Sequence, residues 1–386
     1  MTTTINNEQK KLNVPNLRFP EFEGEWEKQK LCDISSIVGR IGFRGYTTND
    51  IVEKGMGAIA LSPTNIVNNQ LTYDKDNTYI SMSKYEESPE IMIKRGDVIF
   101  VKTGSTVGKV AYVDKMICKT TLNPQVVVLK DIKCDNYILS VIMSTRKFQN
   151  KIQRITVGGA VPTLSQMAMG NIFISLPAAK EQEKISKFIS LIDERIVTQN
   201  KIIDKLQSLI KGIAHKVSKQ GKPNTRLSEC LQCASSTLQE SDVAEVGLYP
   251  VYGANGIVGY LDTYNTTSEA IYIIKDGSGV GTVSYVNGKC SATGTLNILQ
   301  TNDGFSLRYL YFMLKVFGFE PYKTGMAIPH IYFKDYGKAK IYCPNYELQN
   351  KCANLLYEIE QKATIEQKIL DNLCSQKQYL LRQMFI

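Results

Sequence analysis

Two glycine-rich turns hold the residues of this chain best suited to chemistry. Gly104-Ser-Thr-Val-Gly108-Lys109 sets two glycines, two hydroxyls and a lysine within six positions. Such a stretch invites comparison with a phosphate-cradling loop. That loop needs four residues between its glycines and a Ser or Thr after the Lys to reach magnesium. Here three residues intervene and Val110 follows, so the spacing predicts a reverse turn between strands. Cys230-x-x-Cys233 is half of a zinc site, but a structural zinc needs four ligands, and His215 and His330 are the only histidines. Two histidines also leave little for acid–base catalysis. His215 falls in the last turns of a helix, where a cation suits the dipole. A base methyltransferase would need a cofactor-binding glycine motif and a Pro-Pro or Pro-Cys loop. Asn123-Pro124-Gln125 and Cys343-Pro344-Asn345 are not such loops, and no carboxylate–carboxylate–lysine group is spaced as in a metal-dependent nuclease. The reading is a chain with no catalytic residues and no metal.

What remains is a set of basic and amide-bearing loops. Lys94, Arg95, Lys102, Thr103, Ser105, Thr106 and Lys109 surround the first glycine-rich turn, and Arg40 and Arg44 lie upstream. Arg146, Lys147, Lys151 and Arg154 form a second basic run. In the other half of the chain, Tyr252, Asn255, Lys275, Ser278, Thr282, Lys323 and His330 occupy equivalent or adjacent turns. Lys and Arg neutralise phosphates, which fixes register and makes affinity salt-dependent. Asn, Gln, Ser, Thr and Arg satisfy base edges in the major groove. Any one of these residues, taken singly, is more simply a solvated loop position. Their grouping in both halves is what points to DNA.

Both halves present these loops on the same succession of elements. Gly108, Val110, Tyr112 and Val113 fall on Gly281, Val283, Tyr285 and Val286. Ala160-Val-Pro162 lines up with Ala327-Ile-Pro329, Gly170 with Gly337, Pro177 with Pro344 and Gln182 with Gln349. The first half is longer upstream, which places an insertion between Arg40 and Glu90. Short β-like runs (58–61, 97–101, 110–113, 125–130 and 270–275, 281–286) and helices near 135–155 and 306–317 predict a mixed α+β fold. Each half ends in a heptad seam. The first runs through Ile185, Ile189, Ile192, Ile196, Ile203, Leu206, Ile210 and Ile213, with Gln199 at the skipped position. The second runs through Leu356, Ile359, Leu370, Leu373 and Leu380, with Glu366 where Gln199 falls and Lys377 where Ile210 falls. Two such helices could bury their seams on each other as a rigid spacer; the alternative is two ordinary core helices in separate domains. The expected organisation is an N-terminal arm (1–24), a first domain (25–178), a long helix (179–218), a linker (219–226), a second domain (227–345) and a second long helix (346–386). In the stretch 16–26, Phe19, Phe22 and Trp26 are expected to dock on a surface.

The 386 residues suffice for two or three domains, and the formal charge of +9 permits a polyanionic partner without requiring one. No run approaches the ~20 apolar residues of a membrane helix. The polar start is not expected to be a secretory signal, and nine scattered cysteines fit a reduced, cytoplasmic setting.

Asn13-Val-Pro-Asn-Leu-Arg-Phe-Pro20, Arg95-Gly-Asp-Val-Ile-Phe100 running into the first turn, Ala160-Val-Pro162, and Leu176-Pro177 entering a helix with Glu181-Gln182 and Ile185 come in a distinctive order. With Tyr249-Pro-Val-Tyr-Gly-Ala-Asn-Gly-Ile257 they make the chain resemble the specificity subunit of a type I restriction-modification system. The resemblance implies two target-recognition domains with pseudo-two-fold symmetry, each reading one part of a divided double-stranded DNA site. It implies long helices packed as an antiparallel coiled coil that sets the distance between them. Two modification subunits would carry S-adenosylmethionine and methylate adenine; two restriction subunits would use ATP and Mg2+ to translocate and cleave. No cofactor is expected on this chain itself. Leu348 stands where the first half has Glu181, and Lys377 interrupts the second seam; both weaken the symmetry. The rival readings are a self-contained DNA-modifying enzyme and a coiled-coil scaffold that binds only proteins.

Overall fold

A computed structural model describes residues 12–73, 76–277, 279–325 and 327–386, apart from the side chain of Phe43. The chain divides into two units. One holds residues up to Ile196 together with Asn372–Ile386, the other Val197–Asp371.

The core sheet of the first unit is built from four runs rich in β-branched residues. These are β1 (Ser36–Gly39), β3 (Val98–Val101), β4 (Val110–Tyr112) and β5 (Val126–Lys130), with β2 (Ala58–Leu61) in a second sheet beside them. Four antiparallel neighbours stand in the order β1-β5-β3-β4, and two short strands, Gln70–Leu71 and Ile66–Val67, extend the β4 edge. Strands β3 and β5 read as continuous apolar runs because both faces are covered. Helix α1 (Asn136–Ser144) lies on one face, followed by α2 (Arg146–Ile155). A single helix over 135–155 was expected. Thr145 divides it: its backbone is extended (ψ 148°), its hydroxyl donates to Ile142 O, and its oxygen accepts from Phe148 N to start α2.

The longest elements are α3 (Ala179–Ser218), of 40 residues and ~60 Å, and α5 (Tyr346–Met384), of 39 residues. Between them the second unit repeats the first sheet. Strands β6 (Leu231–Ser235), β9 (Ala270–Ile274), β10 (Val283–Val286) and β11 (Leu296–Thr301) stand in the order β6-β11-β9-β10, again all antiparallel. Beside it, β7 (Tyr249–Gly253) and β8 (Gly256–Leu261) form a hairpin, and α4 (Leu307–Lys315) covers the sheet as α1 does in the first unit. Even a detail of the side sheets recurs: β2 pairs in parallel with Thr120–Leu122, and β7 pairs in parallel with Ser291–Ala292. The repeat is therefore one of topology, shared by the four core strands of each unit.

Each long helix is entered in the same way. Gln182 Nε2 donates to Pro177 O at 2.8 Å and its Oε1 accepts from Asp135 N at 2.8 Å. Gln349 Nε2 donates to Pro344 O at 2.8 Å and its Oε1 accepts from Ser306 N at 2.9 Å. Both glutamines are buried, so each clamps the helix start to the end of the last core strand's connection.

The seams are in contact inside each unit. In the first, Ile185 and Ile189 share a core with Met384 and Phe385, and Ile192 and Leu380 pack on it. Lys377 forms an ion pair with Asp193, which also accepts from Tyr137 Oη at 2.6 Å. In the second unit, Ile210 and Ala214 share a core with Ala353 and Leu356, joined by Ile213 and Ile359, and Gln199 Nε2 donates to Glu366 O at 3.0 Å. Within each unit residue numbers rise on one helix as they fall on the other, so the segments run antiparallel there. Ile203 and Leu370 are buried; Ile196, Leu206 and Leu373 are half-buried. Among the described residues, no helix is long and apolar enough to cross a membrane.

The arm is laid along the first unit. Arg18 pairs with buried Glu181 at 2.7 Å, Phe19 meets Phe188 edge-on with ring centres 5.8 Å apart, and Trp26 packs on Phe385. Phe22 is half-buried. In the second unit, Leu348 and Leu355 occupy the places of Glu181 and Phe188 and stand 38% and 54% exposed.

Candidate nucleic-acid interface

In each unit three loops are tied at the same end of the core sheet. The turn from β3 to β4 carries Lys102, Thr103, Ser105, Thr106 and Lys109. Lys102 N donates to Gln125 O at 2.9 Å, Gly104 N to Pro162 O at 2.9 Å, and Leu164 N to Lys102 O at 2.8 Å. The second unit gives the same three bonds: Lys275 N to Thr295 O, Gly277 N to Pro329 O, and Ile331 N to Lys275 O, each at 2.9 Å. This register makes Lys275 the counterpart of Lys102, and His330 the counterpart of Thr163.

The glycines follow from backbone geometry. Gly104 and Gly108 both have φ of +101°, and Gly277 and Gly281 have +95° and +91°. Side chains rarely adopt this left-handed region, so the spacing of four is kept in both turns for conformational reasons. Gln149 Nε2 donates to Gly108 O at 2.8 Å and locks the first turn to α2.

Side chains vary on this common frame. Ser105 and Thr282 are exposed, while Lys102, Thr103, Thr106 and Lys275 are half-buried at the rim. Lys109 Nζ donates to Ile66 O at 3.3 Å. His330 bridges both Asp276 and Thr324 through its backbone, and its ring lies 5.1 Å from that of Tyr332. Lys323 pairs with Glu320 just before that bridge. Tyr252 lies on β7 of the side sheet, its carbonyl accepting from Thr293 N and its ring edge-on to Tyr272; Asn255 is exposed at the tip of the β7–β8 hairpin. Ser278 lies outside the described residues.

Two expectations are corrected: Arg40 is not at a free surface, and Lys94 and Arg95 do not surround the glycine-rich turn. Arg40 is 5% exposed. Its Nε donates to Leu122 O at 2.8 Å, Nη2 to Thr121 Oγ1 at 3.0 Å and Nη1 to Arg44 O at 3.2 Å, with Tyr46 stacked on the guanidinium. Burial pushes its pKa down, against the pull of Tyr46, Glu87 and Glu90. It holds loops together with its guanidinium bonded inside the unit. Arg44 is half-buried beside Glu90 at 3.6 Å. Lys94 and Arg95 precede β3 and so stand at the opposite end of that strand from the glycine-rich turn, where Gly96 N meets Val113 O and Arg95 pairs with Asp114. Four extended residues separate the two ends by ~13 Å. Of the basic run on α2, Lys147 Nζ donates to Phe385 O and Lys151 Nζ to Phe173 O, so both tether the fold. Gln149, whose amide closes the first turn, and Gln125, which closes it through its backbone carbonyl, have no counterpart in a reading that weighs charge near the glycines.

Among the described residues, no three His, Cys, Asp or Glu side chains gather as metal ligands. The arrangement offers lysines, hydroxyls and amides on rigid loops, which suits binding to a polyanion whose bases carry hydrogen-bonding edges.

Comparison with known proteins gives a concordant result. The profile of the family described as "Type I restriction modification DNA specificity domain" matches residues 23–208 and again 226–374. A protein named as a type I specificity subunit in Mycoplasma genitalium is 25% identical over 321 residues, 75% of this chain and 81% of its own length. The MjaVIII specificity subunit of Methanocaldococcus jannaschii is 28% identical over 132 residues, 34% of this chain and 30% of its own. The crystal structure of a type I S subunit from M. genitalium has the same fold, with a TM-score of 0.67 at 18% identity, covering 97% of this chain and 99% of that one.

Proposed function

The chain belongs to the type I restriction-modification DNA specificity family, as the non-catalytic subunit that confers sequence specificity, and from that premise we propose that each of its two units reads one part of a divided DNA site. The observation that carries this reading is the three-loop tie, made by the same backbone bonds in both units while the side chains on it differ. A common frame fixes where the loops meet the duplex. Different side chains (Thr163 in one unit, His330 in the other) make the two readings unlike.

On this proposal Lys102, Lys109 and Lys275 neutralise phosphates, and Ser105, Thr106, Asn255 and Thr282 stand closest to base edges. The seam helices α3 and α5 hold the two readers apart and give the other subunits of the system their platform. Two modification subunits would bring S-adenosylmethionine and methylate adenine at the chosen site; two restriction subunits would bring ATP and Mg2+. The cytoplasm, where the chromosome is reached, is the setting this requires.

Methylome sequencing of cells with and without this chain tests the proposal. The expected result is one divided motif, two specified blocks around a spacer of fixed length, that loses its methylation when the chain is removed. An undivided motif, or none, would reject it.

A further inference from the structure

The stretch from Leu61 to Val98 has no equal in the second unit, where the chain passes from Gly253 to Ala270 far more directly. It contains a small hairpin of Ile66–Val67 and Gln70–Leu71. The turn residues Asn68 and Asn69 have φ of +51° and +60°. Two consecutive left-handed residues make the tight turn that matches strand twist.

The base of this hairpin is fixed. Asn65, 2% exposed, donates from Nδ2 to Thr72 O at 3.1 Å and to Asn77 Oδ1 at 2.6 Å, and its Oδ1 accepts from Ser62 N at 2.9 Å. Thr72 N closes the arms by donating to Asn65 O at 2.8 Å. Its direction is fixed too. Gln70 pairs in parallel with Tyr112 on β4, so the tip points back along β4 toward Lys109. The bond from Lys109 Nζ to Ile66 O agrees. Asn68, Asn69 and Gln70 are all exposed. A two-stranded ribbon tipped with three carboxamides therefore stands beside the lysine-bearing glycine turn.

The major groove, ~12 Å wide, admits a two-stranded ribbon, and a carboxamide matches the N6 donor and N7 acceptor of adenine. We propose that the 66–71 hairpin reads A·T pairs in the half-site of the first unit, with Asn68, Asn69 and Gln70 as specificity-determining residues. This rests on the reading of that unit as a half-site reader. It also gives the insertion a purpose: one unit reads with a ribbon that the other lacks.

The test uses the full chain assembled with its modification subunits. Asn68→Gly and Asn69→Gly keep the left-handed turn while removing the amides, and Gln70→Ala, outside the turn, serves as a second variant that cannot strain it. Binding to the cognate duplex and to a scrambled one is measured at two salt concentrations, with the methylated motif as a second readout. The preference for cognate DNA should fall roughly tenfold to a hundredfold. Scrambled-DNA affinity and its salt slope should hold, and the motif should relax in one block only. An unchanged preference and motif in both variants would overturn the hairpin's role. A wild-type complex with no preference for any sequence would instead sink the half-site reading beneath it.

Discussion

Lys102 and Lys275 hold the same backbone position in two units of unlike sequence, each donating its N–H to the residue just before a core strand (β5 or β11) and accepting from the residue two positions after Pro162 or Pro329. A residue so fixed presents its ammonium at a set point of the rim. Lys102→Ala or Lys275→Ala, in the assembled complex, should weaken cognate and scrambled DNA alike and lower the salt slope by about one. Equal slopes for variant and wild type would remove that lysine from the phosphate contacts. At this scale the sequence was readable where geometry constrains residue type. The paired glycines align because both turns demand left-handed backbone. It misled where chemistry alone was weighed: Arg40 has the charge of a phosphate ligand, but only tertiary structure shows its guanidinium closed over by Leu122 O, Thr121 and Tyr46. Lys94 and Arg95 are near Lys102 in sequence, but an intervening strand carries them to the other end of the sheet.

Among elements, the starts of α3 and α5 are the most closely matched. Gln349 is 2% exposed and satisfies one donor, Ser306 N, and one acceptor, Pro344 O. Gln349→Ala leaves Ser306 N and Pro344 O without these partners, and should cost about 1–3 kcal/mol in urea unfolding. A loss under about 0.5 kcal/mol would mean that the clamp is ornamental. The seams were legible from heptad spacing, and Gln199 and Glu366 fell at one position of the repeat because they face each other. Lys377 looked like a defect. Its partner Asp193 explains it, and in the second unit the equivalent acid, Glu360, is met at 2.8 Å by Lys315 from α4. Each unit neutralises the same half-buried acid with a lysine drawn from a different helix, which no seam pattern could reveal. The division of α1 from α2 was equally hidden, since neither Gly nor Pro marks a break at Ser144-Thr145.

For the molecule as a whole, α3 and α5 each contribute to both units. Because Asp193 pairs with Lys377 in one unit and Gln199 with Glu366 in the other, a change of length confined to one helix would leave its partner short. Seven residues added to both, after Ile196 and after Asp371, should lengthen the recognised spacer by ~10 Å, about three base pairs. A methylated motif with its old spacer would show that the helices do not set the distance.

The arm that covers Glu181 and Phe188 has no twin among the described residues, where Leu348 and Leu355 stand exposed. If the pair of modification subunits proposed above docks on these two helix ends, one finds its berth furnished and the other bare. Loading should then proceed in stages, and native mass spectrometry of a titration should show the singly occupied species well above its statistical share. A purely statistical mixture would mean that the incoming subunits never touch the ground on which the two ends of this protein differ.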